Sequence, residues 1–189
     1  MTFATKITVA RICLVPVFAL LAILYGISAD AGAPVEAYRW AALWVFVAAA
    51  ASDGIDGWVA RRFNQRSELG AFLDPIADKV LVLAAVLVLT FYQWGPDDWR
   101  IPWWFAALVI LRDLVILAGI RVIWSARRDV RIRPHWTGKV CTFSLFVVLA
   151  WVMLRVIPVS PVLPCAFAAV FLVWSMVEYI RQGLRIMRP

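Results

Sequence analysis

Four aspartates, Asp53, Asp56, Asp74 and Asp78, fall inside one 26-residue stretch of an otherwise strongly apolar chain. Carboxylates this close repel one another and take up protons unless a cation sits among them. No Cys or His lies in the stretch, and hard oxygen donors alone point to magnesium, manganese or calcium rather than zinc. Gly57 and Ala60 stand beside the first two acids. They leave room for a flat, rigid group to approach the backbone, or for another helix to pack closely. Arg61 can pair with a phosphate or with one of the acids. Walker A and Gly-x-Gly-x-x-Gly patterns are missing, and with a single histidine no Ser-His-Asp or Cys-His constellation is visible.

Helices can position these groups. At about 100° per residue, Asp53, Asp56, Gly57, Ala60 and Arg61 fall within roughly 140° of a helix circumference. Gly70, Asp74 and Asp78 recur every four residues and drift only about 80°, so they share a face of the following helix. Two acidic faces can therefore converge. The alternative makes the acids helix caps or solvated termini. Against it stands the insertion cost, about 2.5 to 3.5 kcal/mol for each central Asp and less near an interface.

The rest of the chain belongs in a bilayer. Of its 189 residues 64% are hydrophobic, and the mean hydropathy is +0.84, more than a soluble domain of this size can bury. Stretches of about 20 apolar residues suffice to span. Six are predicted, at 8–27, 36–60, 70–92, 101–124, 137–157 and 160–182, giving an all-α integral membrane protein with one domain over residues 1–189.

The net charge of +7 is not gathered on a soluble surface, which argues against a nucleic-acid partner. Lys6, Arg61, Arg62, Arg66, Arg121, Arg127, Arg128, Arg131, Arg133, Lys139, Arg181, Arg185 and Arg188 mark one side. Arg39, Arg100 and Arg155 lie on the other, diluted by Asp30, Glu36, Asp97 and Asp98. The positive-inside rule then puts both termini in the cytoplasm, as an even number of spans requires. Trp40, Trp94, Trp99, Trp103, Trp104, Trp124 and Trp136 are predicted in the interfacial belts. Lys6, the apolar run 12–27 and the small residues after it imitate a cleavable signal peptide. Arg11 close to the run, and a topology that needs the first span retained, speak for an anchor. Cys13, Cys141 and Cys165 form no Cys-x-x-Cys pair and read as buried thiols. His135 and the Arg-rich segment 127–133 read as solvated and lipid-contacting residues.

Asp53-x2-Asp56-Gly57-x2-Ala60-Arg61-x8-Gly70-x3-Asp74-x3-Asp78 resembles, at every fixed position, the signature of the CDP-alcohol phosphotransferase family. Six spans with cytoplasmic termini are also that family's layout. The resemblance implies that Asp53, Asp56, Asp74 and Asp78 hold a divalent cation, Mg2+ or alternatively Mn2+ or Ca2+. It makes Asp78 the general base as well, and Thr8, Gly57, Ala60, Arg61 and Gly70 the seat of the CDP moiety. It implies phosphatidyl transfer from CDP-diacylglycerol to an alcohol with release of CMP, at the cytoplasmic face of the cell's inner (plasma) membrane, by a homodimer.

Thr8-x2-Arg11-x4-Pro16, Phe72-Leu73-Asp74-Pro75-x-Ala77-Asp78-Lys79 and Gly138-Lys139-x2-Thr142 are most similar to family members whose acceptor is glycerol 3-phosphate. Arg112-Asp113, and Thr5 where those members commonly carry asparagine, depart from that pattern and leave phosphatidylglycerol as the alternative acceptor. Arg112, Arg121 and Lys139 are the candidate contacts for an acceptor phosphate. Arg112 lies inside a span and can instead pair with Asp113 or a signature aspartate. A divalent-cation transporter is the reading from another class, since clustered intramembrane acids also mark ion pathways. Its acids would sit near the midplane between inverted repeats.

Overall fold

The computed structural model describes the backbone of residues 3–63, 68–125, 136–155 and 158–187, and the side chains of 9–52, 77, 79–119, 121, 138, 140–155 and 158–184. Six helices follow in order: α1 (Phe3–Asp30), α2 (Glu36–Phe63), α3 (Glu68–Phe91), α4 (Trp103–Ser125), α5 (Trp136–Leu154) and α6 (Val162–Met187). There is no strand among the described residues. Each helix coincides, to within a few residues, with one of the predicted apolar segments. Val9–Asp30 and Val162–Leu184 are long and apolar enough to cross a bilayer by themselves.

Local chemistry sets the helix ends. α1 closes in a Schellman turn, with Gly32 at a φ of 76°, the Gly32 amide on Ala29 O and the Ala33 amide on Ser28 O, both at 3.0 Å. Ser28 Oγ donates to Tyr25 O at 2.6 Å and accepts from the Val35 amide at 3.0 Å, fixing the short link to α2. Glu36 then opens α2 with a negative charge against the helix dipole. Before α4, Pro102 O accepts from the Phe105 and Ala106 amides. Inside the helices, hydroxyls bond back to their own backbone, Thr90 to Val86 O and Ser144 to Val140 O, so that these two need no water.

The described chain falls into two compact units. In the first, residues 1–100 and 153–155, α1 packs along α2 and α3, and α2 touches α3. Val15, Phe18, Ala22 and Tyr25 of α1 face Ala42, Leu43, Phe46 and Ala49 of α2 and Ala77, Leu81, Ala85, Val86 and Leu89 of α3. The alanines bring the backbones close where lipid gives no hydrophobic drive to pack, and the Phe18 and Phe46 rings meet at 5.5 Å. In the second unit α4 packs on α6, around Phe105, Ala106 and Val109, then Cys165, Ala168 and Leu172. Leu20, Trp44, Phe91, Leu114, Phe143, Leu163 and Phe167 are exposed. Helices apolar on the outward face as well as the inward one suit a lipid surround.

Two expectations are corrected. Trp94 is no interfacial tryptophan. It is fully buried, its indole Nε1 donates to Met153 O at 3.2 Å, and its ring stacks edge-on against Tyr25. Trp103, 76% exposed, does fit a belt. Cys13 is exposed rather than buried, while Cys141 and Cys165 are buried, and none of the three is in a disulfide.

The basic residues expected on the less positive side are locally neutralised. Arg39 pairs with Glu36 at 2.5 Å and Arg100 with Asp98 at 2.6 Å, and Arg155 stands 3.8 Å from Glu36. Arg155 is also the hub of a polar knot, donating to Tyr25 Oη at 3.0 Å and Trp94 O at 3.3 Å.

Candidate functional site

The acidic signature occupies the end of α2 and the start of α3. Residues 53–61 are helical without interruption, and so are residues 70–78, so the face arithmetic of the sequence holds. Pro75 is the eighth residue of α3, beyond its first turn. Lacking an N–H, it cannot supply the usual donor to the carbonyl of residue 71.

Helix register connects the signature to the bundle. On α2 the buried stripe is Ala42, Phe46 and Ala49. Positions 53, 56, 57 and 60 continue it within about 40° on either side, while position 61 lies further round. On α3, positions 70, 74 and 78 share an arc of about 100° with Ala77 and Leu81, both buried. Both acidic faces are thus prolongations of the faces with which α2 and α3 enter the bundle, and the two helices touch. Along one axis Asp53 and Asp56 are about 4.5 Å apart, and Asp74 and Asp78 about 6 Å. The side chains of Asp53, Asp56, Gly57, Ala60, Arg61, Gly70, Asp74 and Asp78 lie outside the described residues, as do those of Thr8 and Lys139. Among the described residues no group of three or more His, Cys, Asp or Glu could hold a metal. The donor set on these helix faces is four hard carboxylates without thiolate or imidazole, and it fits a magnesium-like cation and not zinc.

Sequence reasoning left Arg11 out of the site. Its side chain is 0% exposed, which is exceptional for an arginine. It lies on the stripe of α1 that carries Val15, Phe18, Ala22 and Tyr25. Its Nε–H is shared between two acceptors on α2, Ala49 O at 3.2 Å and Ser52 Oγ at 3.0 Å. Ser52 Oγ donates in turn to Ala49 O at 2.7 Å. In an α-helix the carbonyl of residue 49 receives the amide of residue 53, so the contact closes on the turn that begins with Asp53. One signal in the sequence could have found it: Arg11 precedes Val15 by four and Phe18 by seven, a spacing that places it on the packing face.

The acceptor candidates divide. Arg112 is largely buried on α4, and its Nη1 donates to Asp113 Oδ1 at 2.7 Å, the local pairing weighed for it. Its Nε is buried and has no hydrogen-bond partner among the described residues. Arg121 is exposed. Thr142 Oγ1 donates to Gly138 O at 3.0 Å, and a Cβ at Gly138 would come within 3.4 Å of Tyr179 Oη. The start of α5 thus passes close to the late part of α6. His135 and the Arg-rich segment 127–133 lie outside the described residues.

The profile of the CDP-alcohol phosphatidyltransferase family matches residues 1–180. A protein of Escherichia coli (strain K12) is 36% identical over 183 residues, covering 93% of this chain and 91% of the relative. One of Shigella flexneri serotype 5b (strain 8401) is 38% identical over the same shares. Both are named CDP-diacylglycerol--glycerol-3-phosphate 3-phosphatidyltransferase. A match over nearly the whole length, with the eight signature residues carried on two touching helices, makes this chain a member of the CDP-alcohol phosphatidyltransferase family.

Proposed function

We propose that the protein transfers the phosphatidyl group of CDP-diacylglycerol to glycerol 3-phosphate and releases CMP. The observation that carries this reading is the length of the match: residues 53–61 and 70–78, which carry the signature, are helical on two touching helices, in a chain that aligns over 93% of its length with a relative named for that reaction. Six spans with both termini in the cytoplasm accompany it. All six helices coincide with apolar segments, and the arginines of the opposite side are paired off with acids. We place the site at the cytoplasmic face of the inner membrane, in a homodimer.

In this reading Asp53, Asp56, Asp74 and Asp78 hold a divalent cation, magnesium or alternatively manganese or calcium. Bound there, it would offset charge on the diphosphate oxygens and make CMP a better leaving group. Gly57, Ala60 and Gly70 leave space for the nucleotide to lie against the helices, with Thr8 at its edge and Arg61 paired to a phosphate oxygen. Asp78 takes the proton of the acceptor hydroxyl, which attacks the lipid-side phosphorus as the bond to CMP breaks, in one in-line displacement. Arg112, Arg121 and Lys139 supply positive charge for the acceptor's phosphate.

The test supplies purified protein with CDP-diacylglycerol and magnesium, adds glycerol 3-phosphate or phosphatidylglycerol separately, and measures CMP. Release with glycerol 3-phosphate is expected. Release with phosphatidylglycerol alone would reassign the acceptor. No release with either, together with no protection by CDP against thermal unfolding, would favour a cation transporter.

A further inference from the structure

We propose that Arg11 is a positioning residue for the acidic signature, holding the turn of α2 that starts at Asp53 in register against α1. The inference rests on the phosphatidyltransferase reading above, since it concerns how that site is kept in shape.

A guanidinium fully enclosed in an apolar helix bundle is expensive to bury unless it is hydrogen-bonded. Part of that burden is met on one turn of α2. The Nε–H of Arg11 bridges to Ala49 O at 3.2 Å and to Ser52 Oγ at 3.0 Å, and Ser52 closes the triangle through its own 2.7 Å bond to Ala49 O. The carbonyl at the centre is the one whose helical partner is the amide of Asp53. A rotation or slide of this end of α2 against α1 would strand a buried charge, so the turn has one favoured setting. A cation held by several carboxylates is sensitive to that setting, because the donors must reach one point together. An apolar residue of similar length would pack α1 and α2 equally well. What it would lose is the lock on the setting.

Arg11→Met keeps the length and removes the charge and the Nε donor. Arg11→Lys keeps the charge but lacks the planar N–H that bridges the two acceptors. Mn2+ binding in detergent with CDP present, followed by paramagnetic resonance, reads the site without turnover, and CMP release gives the kinetics. For Arg11→Met the Mn2+ dissociation constant should rise about tenfold, the equivalent of about 1.4 kcal/mol. KM for glycerol 3-phosphate should stay within about twofold, because the acceptor's contacts are elsewhere. Arg11→Lys should fall between Met and wild type. Ser52→Ala, a milder change expected to fold, should weaken Mn2+ about threefold by loosening the same triangle. A role confined to packing would lower the unfolding temperature of Arg11→Met and leave its Mn2+ affinity as in wild type, which overturns the proposal. Unchanged Mn2+ affinity in Ser52→Ala overturns it also when Arg11→Met does not fold. Wild-type protein that neither binds Mn2+ nor releases CMP would defeat the underlying reading; an active wild type with metal-insensitive variants would defeat the role of Arg11 alone.

Discussion

Tyr25→Phe removes a single oxygen from the polar knot at the opposite end of α1. Tyr25 is 1% exposed. Its Oη accepts from Arg155 Nη1 at 3.0 Å and lies 3.4 Å from Trp94 O and 3.5 Å from Glu36 Oε1. The last two are long, so the charged donor dominates, and a hydrogen bond to a charged group is worth about 1.5 to 3 kcal/mol. Part of that loss returns, since Arg155 keeps Trp94 O at 3.3 Å and a buried hydroxyl no longer needs a partner. Glu36 adds little compensation at 3.8 Å, because its side chain is 48% exposed and screened. The net cost comes to about 1.5 kcal/mol, or about 3 to 6 °C in the unfolding midpoint of a chain this long. Thermal unfolding in detergent, followed by tryptophan fluorescence, measures it for Tyr25→Phe, Arg155→Met and the double variant. A coupling energy of about 1 kcal/mol is expected. CMP release at low temperature should remain at the wild-type rate, since Tyr25 sits fourteen residues beyond Arg11, about 21 Å along the helix. Additivity of the two single effects to within about 0.3 kcal/mol would refute the knot as a unit.

Three further outcomes follow from the same geometry. A Cβ at Gly26 would run into the Cβ of Tyr92, close to the backbone where nothing flexible can give way. Gly26→Ala should therefore destabilise by about 1 to 3 kcal/mol, and a midpoint unchanged in thermal unfolding would show that α1 and the residue following α3 are not so tightly apposed. Asp78→Asn should lose CMP release by about a hundredfold or more while CDP still raises its unfolding temperature; wild-type turnover in this variant would remove Asp78 as the base. Asp97 is exposed, with a φ of 56°, in the link between α3 and α4. A cysteine placed there should react with a membrane-impermeant maleimide added outside intact cells, and labelling only after lysis would invert the proposed topology.

The helices were legible because lipid imposes a composition that water does not. Each of the six runs of apolar residues became a helix, although the stop of α1 at Gly32 emerged only from the structure. Hydropathy is silent, however, on which way a helix faces when all its sides are apolar, and the misplaced residues are those for which facing decides. Trp94 carries the composition of an interfacial residue, yet its indole found a carbonyl at Met153, a partner 59 positions away that no local pattern announces. Cys13 was expected inside and lies outside, because it falls off the stripe of Arg11, Val15 and Phe18. The aspartates were singled out by the same rule that passed over Arg11. A charged group in an apolar segment must be there for a reason, and four carboxylates at helical spacing name theirs by chemistry. A lone arginine names nothing until the helix beside it is known. Once α2 is laid against α1, the buried guanidinium and the acidic signature become neighbours in register, with Ser52 bonded to the one and adjacent in sequence to the first member of the other. The charge that hydropathy penalises most near the start of the chain then belongs to the same local structure as the charges proposed to carry the chemistry.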